Sequence, residues 1–364
     1  MSEEALAAVF TATGEPLRLE HYPLPTLSAG EVLVRITCCT ICGSDVHTYE
    51  GRRTTPVPTI LGHEIMGTVA ELPPGEAVTD VAGHPLAVGD RITWSIAANC
   101  GDCFFCEHEI PPKCEKLFKY GHEAIDDVHP LSGGLAEYCH LAAGTPIVRV
   151  PAELPDAVAC PANCATATVA GALRVGNVGP GKVTLIQGAG MLGLSAIAMA
   201  RWRGATEVIA CDIDPERLEL APQFGATKCV LVQNSIDELT EVVAETTGGR
   251  GVDVAIELSG APSSVAAGLK LLRIGGTYVL IGSVYPAADV PVSAEWVVRR
   301  WLNIHGVHNY LPEDLATAIE FLTSEHARYP LAELVTATFP LESAEEAFAH
   351  TIRERAHRVA VVPK

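Results

Sequence analysis

Between Cys42 and Glu64 the chain reads CGSDVHTYEGRRTTPVPTILGHE, a short stretch punctuated by glycine and proline. Among its side chains are the thiol of Cys42, the hydroxyl of Ser44, the carboxylates of Asp45 and Glu64 and the imidazoles of His47 and His63. A thiolate and an imidazole that converge are ligands a catalytic Zn²⁺ takes, with one position left open for water or substrate. Two ligands do not complete a site, so a third must come from elsewhere. The competing reading is a turn with an inert buried cysteine and a histidine satisfied by backbone.

A second constellation is CGDCFFCEHEIPPKC, with Cys100, Cys103, Cys106 and Cys114 on one loop. Four thiolates close a tetrahedral Zn²⁺ shell with no open position, which makes a structural site that stiffens an irregular lobe. His108, inside the loop, has no place in a filled shell and reads as a surface residue. A third is VTLIQGAGMLGLSAIAMARW, an apolar strand followed by Gly188, Gly190, Leu192 and Gly193 at the opening of an Ala-rich helix. Glycines there allow a tight turn and the approach of a pyrophosphate to a helix N-terminus, and Asp212, ending the next strand, suits the ribose hydroxyls.

The elements that must position these groups differ along the chain. Residues 1–37 and the segments MGTVAEL and VGDRITW alternate apolar and polar residues between turns such as PLPTLSAG and PPGEA, as strands of a β-rich unit do. LSGGLAEYCHLAAGTPIVRV reads as a glycine turn and two short strands. Helical character begins with PAELPDAVACPANCATATVAGALRVG, and two cysteines near that helix start, Cys160 and Cys164, compete as the third zinc ligand. From Lys182 strand and helix alternate as in a doubly wound parallel sheet. The stretch from about Leu311 reads helix, strand, helix, strand and is expected to return to the first domain.

The bulk properties narrow the function. A chain of 364 residues with 48% hydrophobic and 19% charged residues is large enough for two domains. The net charge of −19, from 44 acidic and 25 basic residues, disfavours nucleic acid and anionic membranes as partners. MSEEALAAVF lacks a basic start and a cleavage site, no stretch is apolar for long enough to span a bilayer, and the twelve cysteines fall in metal-like spacings. A reducing, cytoplasmic location is expected.

With both cysteine constellations and the dinucleotide turn in view, the chain resembles, nearly end to end, the zinc-containing alcohol dehydrogenases of the medium-chain dehydrogenase/reductase family. GRRTTPVPTILGHEIMG further resembles the branch that holds phosphonate-catabolism-associated and hydroxycamphor-type dehydrogenases. The resemblance implies an α/β protein: a GroES-like β-rich catalytic domain over 1–164 with 309–364, and a Rossmann NAD-binding domain over 165–308. It implies two zinc ions per subunit, the catalytic one on Cys42, His63 and Cys164, with Thr168 near the nicotinamide and Cys160 merely buried. It places Glu64 behind the metal, Asp45 as the carboxylate that orients His63, Ser44 and His47 as a proton relay, and Arg358 on the cofactor pyrophosphate. Gly43 departs from members that carry an arginine there for the same pyrophosphate.

On this reading the metal activates an alcohol, the proton leaves through Ser44 and the cofactor ribose to His47, and hydride passes to the nicotinamide. Asp212 and Asp214 make the place of a 2′-phosphate acidic, with Arg217 the nearest base, so NAD is expected over NADP. Ile96 and Leu135 fall where the family has apolar pocket side chains. Arg53 and Lys119 fall where it often has apolar ones, and suit either an anionic substrate or, as the favoured reading, a solvated rim. Relatives with this fold also act on glutathione adducts of formaldehyde or reduce enoyl double bonds, and a non-catalytic NAD-binding structural protein is a further alternative. The intact ligand set and relay argue against the last two. A homodimer or homotetramer, paired through the cofactor-domain edge near Thr277 to Ser283 and the segment after it, is expected.

Overall fold

The computed structural model describes residues 4–75, 77–233 and 235–364. The opening residues of MSEEALAAVF and one residue of the PPGEA turn lie outside them. The chain divides into two compact units, Met1–Cys164 with Leu311–His326 and Leu331–Lys364, and Ala165–Tyr310 with Ala327–Pro330.

The first unit is built on the strand Val32–Thr40 (VLVRITCCT), β-branched and buried over most of its length. It pairs antiparallel with Glu64–Glu71, Tyr138–Leu141 and Arg358–Val362, inside a seven-stranded sheet that also holds Arg91–Trp94, Ile147–Arg149 and Val335–Pro340. Trp94, Ile65, Val34, Leu135 and Val361 share its core. The pairings set up the chemistry. Thr40 lies opposite Glu64, so the end of one strand meets the start of its antiparallel neighbour, and Ala360 also lies opposite Thr40. Cys42, His63, Glu64 and Arg358 are thereby gathered at one end of three adjacent strands.

The second unit is a six-stranded parallel sheet in the order Lys228–Leu231, Glu207–Asp212, Val183–Gln187, Val252–Glu257, Leu272–Leu280, Asn303–Gly306. In chain order this is 3-2-1-4-5-6, the doubly wound arrangement that binds dinucleotides beyond the carboxyl ends of its strands. Gly193 is needed for helix Met191–Trp202 to pack on the turn, because a Cβ there would lie 1.8 Å from the Gly188 carbonyl oxygen. Leu272–Leu280, which contains Thr277, is an interior strand; the sheet edge is Asn303–Gly306, all of it exposed. No helix of the described residues is long and apolar enough to cross a membrane.

Candidate active site

Cys42 follows the end of Val32–Thr40 and caps the helix Gly43–Tyr49. Asp45, in the first turn, accepts hydrogen bonds from the Cys42 and Gly62 backbone N–H groups at 2.9 and 3.2 Å. Its Oδ1 also stands 3.0 Å from His63 Nδ1, so one buried carboxylate ties both motif segments together and directs His63 Nε2 away from itself. Ligand atoms of Cys42, His63 and Cys164 all lie within 4.8 Å of one another.

Cys164 arrives on the 3₁₀ turn Cys160–Asn163. Asn163 fastens that turn, donating from Nδ2 to the His63 carbonyl at 3.0 Å and accepting from the Ile65 N–H at 3.2 Å. Of the two competing cysteines, Cys164 joins Cys42 and His63. Cys160 faces the other way, donating to the Glu64 and Cys38 carbonyls at 3.1 and 3.3 Å. Asn163 had no motif to announce it.

Behind the cluster lies a buried ion pair. Arg358 donates through Nε and Nη2 to the two oxygens of Glu64, each at 2.6 Å, and Nη2 is also 3.4 Å from Cys42 Sγ. The Thr40 hydroxyl donates to Glu64 Oε2 at 2.6 Å. The guanidinium is buried, and its Nη1 donates to the His357 carbonyl at 2.7 Å.

The electrostatics favour a cation in the cluster. The Cys42 thiol is held well below its usual range by the hydrogen bond from Cys164 and by the Arg358 guanidinium and His63, against the opposing pull of burial. Burial pulls His63 down, but Asp45 and Cys42 outweigh it and raise it to about 10. A nitrogen so surrounded by negative charge holds either a proton or a metal, and two sulfurs at the same point make the set suitable for zinc. Ser44 Oγ sits 3.3 Å from His63 Nε2, on the side where the ligand atoms meet. His47 lies one turn further along the same helix, and its carbonyl accepts from the Arg52 and Arg53 N–H groups.

In the four-cysteine loop the sulfurs of Cys103 and Cys106, Cys103 and Cys114, and Cys100 and Cys114 are 3.5, 3.9 and 3.4 Å apart. A ZnS₄ tetrahedron with bonds of about 2.3 Å has edges of about 3.8 Å. Backbone N–H groups of Glu115 and Cys106 lower the Cys103 thiol to about 6, whereas the hydrogen bond with Asp102 raises Cys100 to about 12, so the sulfurs hold their protons unevenly and the spacing carries the fit. The loop fits zinc.

The expected substrate residues part company. Leu135 is wholly buried in the unit's core and Ile96 is nearly so. Lys119 is pulled down by burial and by Arg53, while the negative groups Cys164 and Asp45 act on it in the opposite sense. His122, which no motif reading singled out, packs against His63 with ring centroids 5.1 Å apart. Burial, then His63, Lys119 and Arg53, keep its imidazole well below the ordinary value. The signal was present: Gly121-His122-Glu123 repeats Gly62-His63-Glu64. The two glycines meet, since a Cβ on Gly121 would lie 2.6 Å from the Gly62 carbonyl oxygen.

In the second unit Asp212 Oδ2 accepts from the Ala189 N–H at 2.6 Å and Oδ1 from the Asp214 N–H at 2.9 Å, which poises the acid over the glycine turn. A Cβ added at Gly190 would meet only the Arg217 guanidinium, at 3.8 Å, so the turn is open to an incoming group beneath a positive charge. Leu192 stands in the first turn of the helix Met191–Trp202, and Thr168 lies half-buried on the helix Ala165–Val175. The turn fits a dinucleotide pyrophosphate.

Comparison with known proteins agrees with this geometry. Residues 28–152 match the alcohol dehydrogenase GroES-like domain and residues 192–324 the zinc-binding dehydrogenase family. The chain is 33% identical over 341 residues to 5-exo-hydroxycamphor dehydrogenase of Pseudomonas putida, covering 92% of each. It is 32% identical over 351 residues to an alcohol dehydrogenase of Geobacillus stearothermophilus, covering 95% of this chain and 96% of that one. An alcohol dehydrogenase from Thermotoga maritima superposes with a TM-score of 0.91 at 30% identity, over 99% of this chain and all of the other. The chain belongs to the zinc-containing alcohol dehydrogenases of the medium-chain dehydrogenase/reductase family. It is an oxidoreductase that acts on a CH–OH group.

Proposed function

We propose that Cys42, His63 and Cys164 hold the catalytic zinc, that Cys100, Cys103, Cys106 and Cys114 hold a second, structural one, and that the enzyme oxidises an alcohol with NAD. The observation that carries the reading is the convergence of two sulfurs and His63 Nε2 within 4.8 Å, backed by Asp45 and by the Glu64–Arg358 pair. When bound, zinc acidifies the alcohol hydroxyl and the nicotinamide takes the hydride. The chain's own groups then have defined tasks. Asp45 keeps the proton of His63 on Nδ1 and fixes the ring. Ser44 Oγ, beside Nε2, accepts the hydroxyl proton and passes it outward towards His47, whose imidazole exchanges it with water. Arg358 opposes the burial that pushes the Glu64 carboxyl up to about 7, and adds positive charge beside Cys42.

Asp212 and Asp214 favour the two ribose hydroxyls of NAD over a 2′-phosphate. The prediction is a kcat/KM with NAD at least tenfold above that with NADP, narrowed or reversed in Asp212→Ser; parity of the two cofactors with the unaltered enzyme would refute it. The thiolate sites can be loaded only where cysteines stay reduced, so the proposed compartment is the cytoplasm. We also propose pairing of subunits through the edge strand Asn303–Gly306. Val298 and Trp301, just before it, are 75% and 79% exposed, and Ile304 on the strand is exposed as well, so apolar side chains lie along this edge.

One observation favours an anionic substrate over a solvated rim. Lys119 is half-buried and its ammonium is drawn down by burial and by Arg53, while the negative Cys164 and Asp45 act on it in the opposite sense, so it shares the field of the metal cluster. Two cations and a neutral His122 beside the ligands suit a hydroxy acid or a hydroxyalkyl phosphonate. Paired neutral and anionic alcohols test this. Arg53→Ala is expected to raise KM about tenfold for the anionic members alone, and an equal change for both would return Arg53 to the rim.

A further inference from the structure

Glu31, His129 and His140 form a third group of metal-ligand side chains, separate from both cysteine sets, with ligand atoms within 4.8 Å of one another. They come from three places. Glu31 directly precedes the strand Val32–Thr40, His140 lies on Tyr138–Leu141, which pairs with that strand, and His129 stands on the loop between Phe118–Lys119 and Tyr138–Leu141. Glu31 Oε2 lies 3.1 Å from His140 Nε2, and Oε1 lies 3.9 Å from His129 Nε2. The two imidazoles stack with centroids 4.9 Å apart.

The arrangement is unusual for a resting histidine pair. Nε2 of His129 is buried with no hydrogen-bond partner among the described residues, and the buried ring of His140 has only the Glu31 carboxylate, 3.1 Å from Nε2, and the Val128 backbone as polar neighbours. Buried nitrogens left so carry a desolvation cost unless something takes their lone pairs. The rest of the triad is fixed. Ser28 N–H donates to Glu31 Oε2 at 2.7 Å, His129 N–H to Asp126 Oδ1 at 2.6 Å, and His140 N–H to the Leu131 carbonyl at 2.8 Å. A tetrahedral ion with N and O bonds of about 2.0–2.2 Å needs ligand atoms about 3.3 Å apart, against 3.1 and 3.9 Å from Glu31 to the two imidazoles.

We propose that Glu31, His129 and His140 bind a divalent transition-metal ion of the zinc type, which leaves a fourth position to water and pins the loop carrying Asp126 and His129 to the edge of Val32–Thr40. Glu31 and His129, at 12% and 18% side-chain exposure against 2% for His140, form the entrance. Two imidazoles and one carboxylate without sulfur suit Zn²⁺, Co²⁺ or Ni²⁺ and exclude strong Ca²⁺ or Mg²⁺ binding.

The test is Co²⁺ titration of holoenzyme brought to two zinc ions per chain, with metal counted after equilibrium dialysis and the visible spectrum recorded. One further equivalent is expected, with ligand-field bands that lack a thiolate charge-transfer component, and a rise in the unfolding temperature. His129→Ala and Glu31→Gln, neither of which belongs to the proposed catalytic set, should each weaken that binding at least tenfold and leave turnover intact. His129→Gln guards against a loop that fails to fold. No added equivalent up to millimolar Co²⁺ would reduce the group to an ion pair between Glu31 and a protonated His140. Undiminished binding in both Glu31→Gln and His129→Ala would equally overturn the proposal.

Discussion

The two cysteine-bearing sites are built on opposite plans. Residues 100–114 supply every sulfur of one from a single loop, with only a short helix (Phe104–Glu107) and a 3₁₀ turn (Pro111–Lys113) between them. The other gathers its proposed ligands from residues 42, 63 and 164, each set by a different element, and is backed by Asp45, Asn163, Glu64 and Arg358. A local set needs only spacing, and its metal helps to fold it. The assembled set exists only once the sheet has placed its strand ends, so its metal adds chemistry to a frame that already stands.

That contrast predicts opposite mutant phenotypes. Cys164→Ser should lower turnover by about a thousandfold or more, since removing a ligand removes the activation of the hydroxyl, and should leave the unfolding temperature within a few degrees. Cys103→Ser should retain zinc at the other cluster, lower the unfolding temperature by roughly 5–10 °C and make the 100–114 loop sensitive to protease. Activity assays beside calorimetry separate the two. If Cys103→Ser abolished turnover at unchanged stability, the distinction between the sites would be lost.

A second consequence concerns the buried pair, which the loop lacks. Glu64 and Arg358 are nearly inaccessible and held by paired 2.6 Å bonds, so breaking one member strands the other's charge. Such a loss costs about 3–5 kcal/mol. Glu64→Gln is expected to reduce the free energy of unfolding by about that amount, measured in denaturant. An unchanged midpoint would place the stabilisation in packing and not in charge.

How much of this was legible in the sequence follows the same division. The loop was fully legible, because its ligands are neighbours. So was the Gly188–Asp212 unit, where strand, turn, helix and acid follow in order. From its residues alone the assembled site was legible only in its motif halves, and Cys164 was singled out through the family resemblance. Whether Cys160 or Cys164 turns inward depends on the 3₁₀ turn and on Asn163, an amide with no spacing rule. Arg358 lies 294 residues from Glu64, and their meeting is fixed by the register that sets Ala360 opposite Thr40, a fact of pairing that local patterns do not carry. The sheet edge was misplaced for a related reason: GGTYVLIGSV reads as a strand, but a sequence does not say that Asn303–Gly306 adds outside it. Glu31, His129 and His140 have neither motif nor spacing, and only the pairing of two strands brings them together.

The smallest expected effect is the sharpest probe of the comparison, because each site has a carboxylate beside it that can be neutralised without loss of a ligand. Asp45 is buried and shared by three donors, the Cys42 and Gly62 N–H groups and His63 Nδ1. Asp102, beside Cys100, is 71% exposed and faces Lys116 at 3.7 Å. Asparagine is nearly isosteric with aspartate, so Asp45→Asn keeps the space but presents an amide NH₂, or a weaker neutral acceptor, to donors that required a carboxylate. His63 then loses the charge that fixes its tautomer and makes Nε2 a strong base. Zinc affinity at that cluster should fall about 10–100-fold, the usual cost of losing such a partner, read by competition with a chelator. Asp102→Asn should leave the affinity of the four-cysteine loop within about twofold, since an exposed ion pair contributes little. Equal losses at both sites would mean that the buried carboxylate acts on its metal only through bulk charge, and Asp45 would then have no orienting role.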